Sequence, residues 1–399
     1  MKILFVITGL SFGGAQNSLV HLLNSIDTER YQVDLLLFTE RKELVGQIKT
    51  PYRLINPQGI GKDFFLPLKQ VVSRAVKSRR PGIVLKRIMI PLKIRLNRRK
   101  KYPEQCIWES IGKNIDPIKE HYDVAIAYCQ GLPTYFVVDK VDAACKVAWM
   151  HSDATQQIHD RGYTLSYYKH FERIHCVSRQ AVDKFISVYP ELEMVTMPFY
   201  NIIDHEEIQN KAMMVVDDIQ RNEDELLLCT VGRLHKAKGY DNAIDACAIL
   251  KEKGIHVRWI VIGEGDERGK LQEHIEKCGL QGEFLLLGSR INPYPYVNLC
   301  DIYVQTSLWE GFCITLAEAK VLAKPIVTTA FTGAEEQINN GVNGLICDAG
   351  AQEIADAILR LYKSQNQMRD FTAFLRAEKN NRKKNTFDAM VNDLQHYGR

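Results

Sequence analysis

Short apolar runs alternate with amphipathic stretches along most of the chain, and the order of that alternation predicts the architecture. Ile3-Leu4-Phe5-Val6-Ile7 is apolar at consecutive positions, the pattern of a strand covered on both faces, so a first strand is expected at 2–8. A glycine loop follows, then apolar positions at helical spacing around 15–26 and a second strand at Gln32–Phe38. Further strands are expected at Val124–Tyr128, Lys146–Met150, Ile174–Val177 and Val195–Pro198. Strands that alternate with helical stretches argue for a parallel, doubly wound sheet.

The segment from about 205 to 225 is polar and reads as a linker helix and loop. The grammar then repeats. Strand Leu226–Val231 runs into Gly232-Arg233-Leu234 and a helix near 239–252, and strand Val257–Ile262 into Gly263-Glu264-Gly265-Asp266. Strands at Phe284–Leu287, 302–307 and Pro325–Thr329 complete the second set. The fold class is therefore α/β, with two Rossmann-like domains expected at 1–204 and 205–380. The polar tail, 381–399, reads as a terminal helix, on the surface or packed back on the N-terminal domain. Two such sheets are expected to face each other across a cleft, which is the default ligand site.

Composition narrows the class. The chain has 399 residues, 46% apolar and 25% charged, as in a soluble globular protein of two domains. None of its 10 cysteines lies in a CxxC pair, so they read as core residues of a reducing compartment, not as disulfide or zinc ligands. Glycines interrupt the first apolar run too early for a signal peptide, and no run is long enough to span a membrane. A cytoplasmic protein is expected, with peripheral attachment to the inner face of the membrane as one option.

Charged residues at strand ends carry the candidate chemistry. Glu310 lies in the turn after the 302–307 strand and Glu318 in the helix that follows, where parallel sheets place ligands. A carboxylate accepts hydrogen bonds from two adjacent hydroxyls, so two of them suit a ligand with two sugars. Arg233 and Lys238 follow the strand at 226–231, and two fixed cations beside a helix start suit a pyrophosphate. Charge-assisted hydrogen bonds contribute about 1.5–3 kcal/mol each. Gly13 and Gly14 open a helix, where backbone N–H groups can approach a phosphate or sugar. His151 ends the run Val147-Ala148-Trp149-Met150 and is a candidate for the site or for the core.

Taken in order, these pieces resemble the retaining glycosyltransferases of the GT-B fold, family 4, of the bacterial surface-polysaccharide type. The matching elements are Gly13-Gly14-Ala15, His151, Val177-Ser178, Asn201-Ile202-Ile203-Asp204 and Val231-Gly232-Arg233-Leu234 with Lys238-Gly239. Gly263-Glu264-Gly265, Leu287-Gly288, Glu310-Gly311-Phe312, Glu318-Ala319 and Pro325-Ile326-Val327 complete the set. The resemblance covers nearly the whole chain outside 40–120. It implies that Glu318 holds the ribose of a nucleotide-sugar donor, expected to carry uracil, and that Glu310 lies beside the transferred hexose. Arg233 and Lys238 would grip the diphosphate, with Gly14 approaching it from the other domain and His151 beside the sugar and acceptor. Ser289 and Arg290 would lie near the base, and Gly263, Gly265, Gly311, Phe312, Cys313 and Ile314 would also bind the donor.

Two positions depart from the family pattern. Gln16 stands where an acid is common, and Cys313 where glycine is frequent. The implied reaction moves a hexosyl group with retention and without metal: cations and helix N-terminal amides would stabilise the departing diphosphate. No cofactor and no metal are expected, and no Asp-x-Asp sequence occurs. A glycosidase would use two glutamates differently and leave Arg233 and Lys238 unexplained. A UDP-sugar 2-epimerase of the same architecture and a non-catalytic sugar-nucleotide binder are the remaining alternatives.

Charge is unevenly spread. Residues 62–101 hold seven Lys, seven Arg and the single acid Asp63, so the rest of the chain carries −9 against a total of +4. Leu85, Ile88, Met89, Leu92 and Leu96 recur at helical spacing between Lys86, Arg87, Lys93 and Arg95, followed by Arg98, Arg99, Lys100 and Lys101. An apolar face flanked by cations reads as an interfacial helix on anionic lipid, with Pro91 expected to kink or interrupt it. That points to a glycan or lipid-linked acceptor. A solvated basic face is the alternative, and nucleic acid is not expected, since no binding motif accompanies the charge.

Overall fold

The computed structural model describes residues 1–59, 61–66, 68–77, 82–97, 103–156, 160–219, 221–222, 224–378 and 387–397, with backbone alone at 62, 68, 77, 393 and 395–397. The chain divides into two compact units, Met1–Ile202 with Asn385–Arg399, and Ile203–Lys384.

In the N-terminal unit the strands are β1 (Lys2–Ile7), β2 (Gln32–Leu37), β3 (Tyr52–Ile55), β4 (Gln58–Gly59), β5 (Ile115–Asp116), β6 (His121–Ala127), β7 (Asp142–Met150), β8 (Arg173–Cys176) and β9 (Thr196–Pro198). Seven of them form one sheet in the order β3-β2-β1-β6-β7-β8-β9, parallel throughout, while β4 and β5 pair as a small antiparallel ribbon. The one buried acid of β2, Asp34, accepts two hydrogen bonds from Arg53 (2.6 and 3.0 Å) and one from the Tyr122 hydroxyl (2.7 Å). A buried carboxylate needs such partners, and this set ties the edge strand β3 to the sheet interior.

The C-terminal unit holds β10 (Leu226–Val231), β11 (Val257–Ile262), β12 (Phe284–Gly288), β13 (Ile302–Gln305), β14 (Ile326–Thr329) and β15 (Leu345–Cys347), ordered β12-β11-β10-β13-β14-β15 and parallel. Side chains alternate between two cores, as strand geometry requires. Leu226, Leu228, Trp259, Val261, Ile302 and Val304 pack with helices Tyr240–Glu252 and Ala351–Lys363. Leu227, Cys229, Ile260, Ile262 and Tyr303 pack on the other face, with helices Tyr294–Leu299 and Ile314–Val321. The order reverses between β1 and β6 in one sheet and between β10 and β13 in the other. These are the positions where loops diverge and leave room for a ligand.

In the two large sheets two strands escape the sequence reading, β3 and β15, as do both strands of the β4–β5 ribbon. Strands β3 and β15 are short edge strands without a continuous buried run, so the signature of a doubly covered strand is missing. Strand β13 also stops at Gln305, short of the expected 307, because the next residues leave the sheet to bond another loop.

The terminal helix, Phe387–Tyr397, is not a free surface element. Phe387, Met390, Val391 and Leu394 are buried along one stripe, and the Phe387 ring lies 5.9 Å from Phe5 and edge-on to Tyr31 at 5.4 Å. Arg30 and Asp388 add an ion pair at 3.1 Å. The chain thus returns to the N-terminal unit. Replacing Phe387 by Ala should cost about 3–5 kcal/mol, read as a lower urea midpoint for that unit's transition. An unchanged midpoint would mean that the helix contributes nothing to its stability.

Candidate active site

At the β10/β13 reversal two loops are locked together by their backbones. The Thr306 hydroxyl donates to the carbonyl of Lys238 (2.8 Å), and the Leu308 N–H donates to the carbonyl of Ala237 (2.8 Å). Gly239 stands at φ 63°, and a Cβ there would lie 2.2 Å from the Thr306 carbonyl oxygen. No other residue fits so close to backbone in that conformation. Gly239 therefore decides where Lys238 points.

It points at Glu310. The Lys238 ammonium and the Glu310 carboxylate form an ion pair with both side chains about one-sixth exposed (17% and 16%). Burial pulls the lysine pKa down, but the adjacent carboxylate outweighs it and the net direction is up. Glu310 also accepts from the Ser307 hydroxyl (2.8 Å), which accepts from Gln305 (2.7 Å), whose own oxygen accepts from Tyr303 (2.8 Å) and Thr315 (3.4 Å). Apart from Glu310 and Thr315, the chain is buried in β13 and the start of its loop. Such a relay fixes the carboxylate while leaving hydrogen-bond capacity for a ligand. Sequence reasoning missed Ser307, Gln305 and Tyr303; three polar residues at alternate positions of a buried strand were the available signal.

Glu318 has a different setting. It lies in helix Ile314–Val321, only 4% exposed, and accepts from the Tyr294 hydroxyl at 3.1 Å. Burial raises its pKa to about 7, opposed by the Tyr294 bond and by Lys211. The helix begins after Cys313, which adopts φ 62°. A side chain there costs roughly 1–2 kcal/mol against glycine. Gly311, Phe312 and Ile314 flank it, all buried, and Gln337 donates to the Phe312 carbonyl.

Some of the other donor-side residues lie on loops packed beside this pair: a Cβ on Gly232, next to Arg233, would lie 3.3 Å from Lys238 Cε. Arg233 reaches Asp266 at 3.3 Å, with both side chains largely exposed. Gly263 and Gly265 have a packing reason, since a Cβ on either would lie about 2 Å from a carbonyl oxygen, Gly232 at 2.0 Å and Leu234 at 2.1 Å. The Arg290 guanidinium is engaged by Asp218 (2.7 Å), the Tyr296 hydroxyl (3.0 Å) and the carbonyls of Leu287 (2.6 Å) and Ser289 (3.3 Å).

In the N-terminal unit the β1/β6 reversal carries a second group. Helix Gly14–Asn24 starts at Gly13 with no cap from that residue's side chain and no acid in its first turn, and the Gln16 amide oxygen folds back over Gly13. Ser18 bonds the Tyr128 hydroxyl (2.8 Å) and donates to Asn201 (2.6 Å). The Tyr128 ring stacks on His151 at 4.8 Å and on Trp149 at 5.0 Å. Burial lowers the His151 pKa to about 3, against a backbone hydrogen bond at Tyr128, so the ring is neutral. Ser18 and Tyr128 gave no signal in sequence, being unremarkable residues of a helix and a strand end.

The basic segment forms helices Leu68–Lys77 and Gly82–Asn97, the latter passing through Pro91. Ile83 and Ile90 face the core, while Leu85 (63% exposed), Ile88 (60%), Met89 (52%), Leu92 (51%) and Leu96 (77%) form an outward apolar stripe. The cations are less free than the sequence suggests. Lys86 donates to the Ser110 carbonyl and Asn114, Lys93 pairs with Glu109 at 3.3 Å, and Arg87 lies over the Phe64 ring. Arg95 is exposed; Arg98, Arg99, Lys100 and Lys101 lie outside the described residues.

Residues 216–377 match the family model described as glycosyl transferases group 1. Curated relatives include an uncharacterised glycosyltransferase of Methanocaldococcus jannaschii, 31% identical over 41% of this chain and 41% of that one. Another is the Campylobacter jejuni N-acetylgalactosamine-N,N'-diacetylbacillosaminyl-diphospho-undecaprenol 4-alpha-N-acetylgalactosaminyltransferase, 33% identical over 37% of this chain and 39% of that one. The match thus spans about two fifths of the length of these relatives. Among solved structures, Anabaena HepE with UDP-glucose superposes with a TM-score of 0.65 at 18% identity, covering 94% of each chain. An S. aureus TarM variant gives 0.67 at 14%, covering 100% of this chain and 99% of that one. The fold is that of these GT-B proteins.

Glu318 makes the site pH-sensitive in a definite direction. Its folded pKa of about 7 stands above the ordinary 4.5, so its contribution to stability is full below the lower value and is lost as pH rises through the higher. Between pH 5 and 8 the parent should lose up to about 3 kcal/mol relative to Glu318→Gln, measured by urea unfolding of the C-terminal unit. Parallel pH profiles for the two would refute a buried, proton-holding Glu318. His151 and His175, both lowered from 6.5 to about 3, act with the opposite sign, losing stability as pH falls.

Proposed function

We infer, from a C-terminal unit whose residues 216–377 match the glycosyl transferases group 1 model, that this chain is a glycosyltransferase that moves a hexosyl group from a nucleotide sugar to a glycan or lipid-linked acceptor in surface-polysaccharide synthesis. The observation that carries this is the Lys238–Glu310 pair, held by two mutually bonded loops at a sheet reversal. A sugar nucleotide already has a good leaving group, so the task is to stabilise charge growing on the departing diphosphate. In this reading Lys238 turns from Glu310 toward that charge when donor binds, and Arg233 on its open loop swings in beside it. Glu310, released from the ammonium but still held by Ser307, accepts hydrogen bonds from hydroxyls of the transferred sugar. Glu318 holds the ribose. The cations take the role a metal has elsewhere, so the reaction needs none; retention enters through the family resemblance. His151, Gly13 and Gly14 enter through the family resemblance, as does uracil as the base, in keeping with the UDP-glucose named for the HepE structure.

The outward stripe on helix Gly82–Asn97 supports a membrane-side acceptor. Five large apolar side chains in one stripe, with exposed Arg95 on the same helix and a basic run next in the sequence, fit an anionic lipid surface. The lipid-linked substrate in the name of the Campylobacter relative is in keeping with this.

Two experiments address the reading. Lys238→Ala should weaken UDP binding about 10–100-fold, whereas Glu310→Gln should keep UDP binding within a few-fold and lower sugar transfer about 100-fold. A thermal-shift panel of UDP, GDP and ADP that moves with none of them would remove the nucleotide-sugar reading altogether. For the surface, the protein should float with anionic vesicles and an Ile88→Glu/Leu92→Glu variant should not. Equal recovery with neutral and anionic vesicles would argue against the electrostatic part.

A further inference from the structure

Helices Tyr240–Glu252 and Arg268–Lys277 pack on the same core of the C-terminal unit, the one opposite to the Glu318 helix. Each presents two metal-ligand side chains one turn apart: Asp241 and Asp245 on the first, His274 and, at the end of the second, Cys278. The imidazole lies between the carboxylates, with Nε2 at 2.8 Å from Asp245 and Nδ1 at 3.3 Å from Asp241. The ligand atoms of Asp245, His274 and Cys278 all lie within 4.8 Å of one another, and none of the three residues is buried. Lys270 also reaches Asp241, at 3.1 Å, from the outer side.

We propose that Asp245, His274 and Cys278 bind a zinc-class transition-metal ion, with Asp241 holding the histidine through its Nδ1–H. A carboxylate on the far nitrogen of a metal-bound histidine fixes its tautomer and aims Nε2 at the ion. The donor set decides the class of ion: imidazole with thiolate suits zinc and its neighbours and disfavours calcium or magnesium, which take oxygen. Tetrahedral coordination puts ligand atoms roughly 3.3–3.8 Å apart. The His274–Asp245 pair must open slightly and the widest pair close by about 1 Å, within reach of rotamer changes on a solvent-facing surface. Binding forms bonds from the ion to Asp245, Nε2 and Sγ, and the Cys278 proton leaves to solvent. Burial and Asp245 hold that thiol above its ordinary value, so affinity should rise with pH. The fourth position is left to water.

The site brackets the first two turns of the helix that begins after Gly239. Asp245 is seven residues beyond Lys238, in the second turn of that helix. An ion there would brace the element that carries the Lys238 loop without taking part in transfer.

Titration of the metal-free full chain with Co²⁺ tests this. One equivalent should bind with visible d–d bands and a near-ultraviolet thiolate-to-cobalt band, both removed by Zn²⁺. Cys278→Ser should abolish the thiolate band, His274→Gln should weaken binding at least 10-fold, and Asp241→Asn should weaken it about 10–100-fold with the band retained. Each variant's metal-free urea midpoint, close to the parent's, separates lost ligation from lost folding. The proposal is overturned if the parent gives no thiolate band, if the band survives in Cys278→Ser, or if His274→Gln binds as the parent does.

Discussion

Parallel strands set the terms for everything else in this molecule. Because each strand must be followed by a crossover, all strands of a sheet discharge their loops at one edge, and loops diverge only where the strand order reverses. In the C-terminal unit that happens between β10 and β13. The loops that leave there are stitched together by Thr306 and Leu308, and Gly239 is the residue that lets them meet. Without that contact Lys238 would be one more surface lysine.

The two glutamates that stand out in sequence have different physics. Glu310 is a partly exposed carboxylate with a cation and a hydroxyl fixing it. Glu318 is enclosed, held by one tyrosine, and keeps its proton up to about pH 7. One is arranged to exchange partners with an incoming ligand; the other gains a partner when a polar ligand reaches it. The strained Cys313 lies between them and starts the helix that carries Glu318. Backbone strain beside a ligand site is tolerated where the surroundings over-determine it, and Gln337 bonding the Phe312 carbonyl is part of that constraint.

Helix Gly82–Asn97 reverses the usual orientation of an amphipathic helix. Its apolar residues occupy both the core side and the solvent side, and three of its cations turn to the protein. A helix that is apolar all round is ordinarily buried. Here the outer stripe is open, and the resulting patch is the kind that marks a docking surface.

By itself the sequence determined the two α/β repeats and most strand positions, and it marked Glu310, Glu318, Arg233 and Lys238 as candidates. Doubly buried strands and glycine turns leave local signals, because burial on both faces and close backbone approach each restrict residue type. Strands β3 and β15 left none, being short and only partly buried. Tertiary structure alone decided which acid each cation meets: Lys238 with Glu310, Arg233 with Asp266, Arg290 with Asp218. It also set Gly263 and Gly265 against the Gly232 and Leu234 carbonyls and brought Asp245 and His274 within 2.8 Å across 29 positions of sequence. A side chain's type is written at its own position, but its partner is set by how distant segments are stacked, and spacing along the chain carries no record of that.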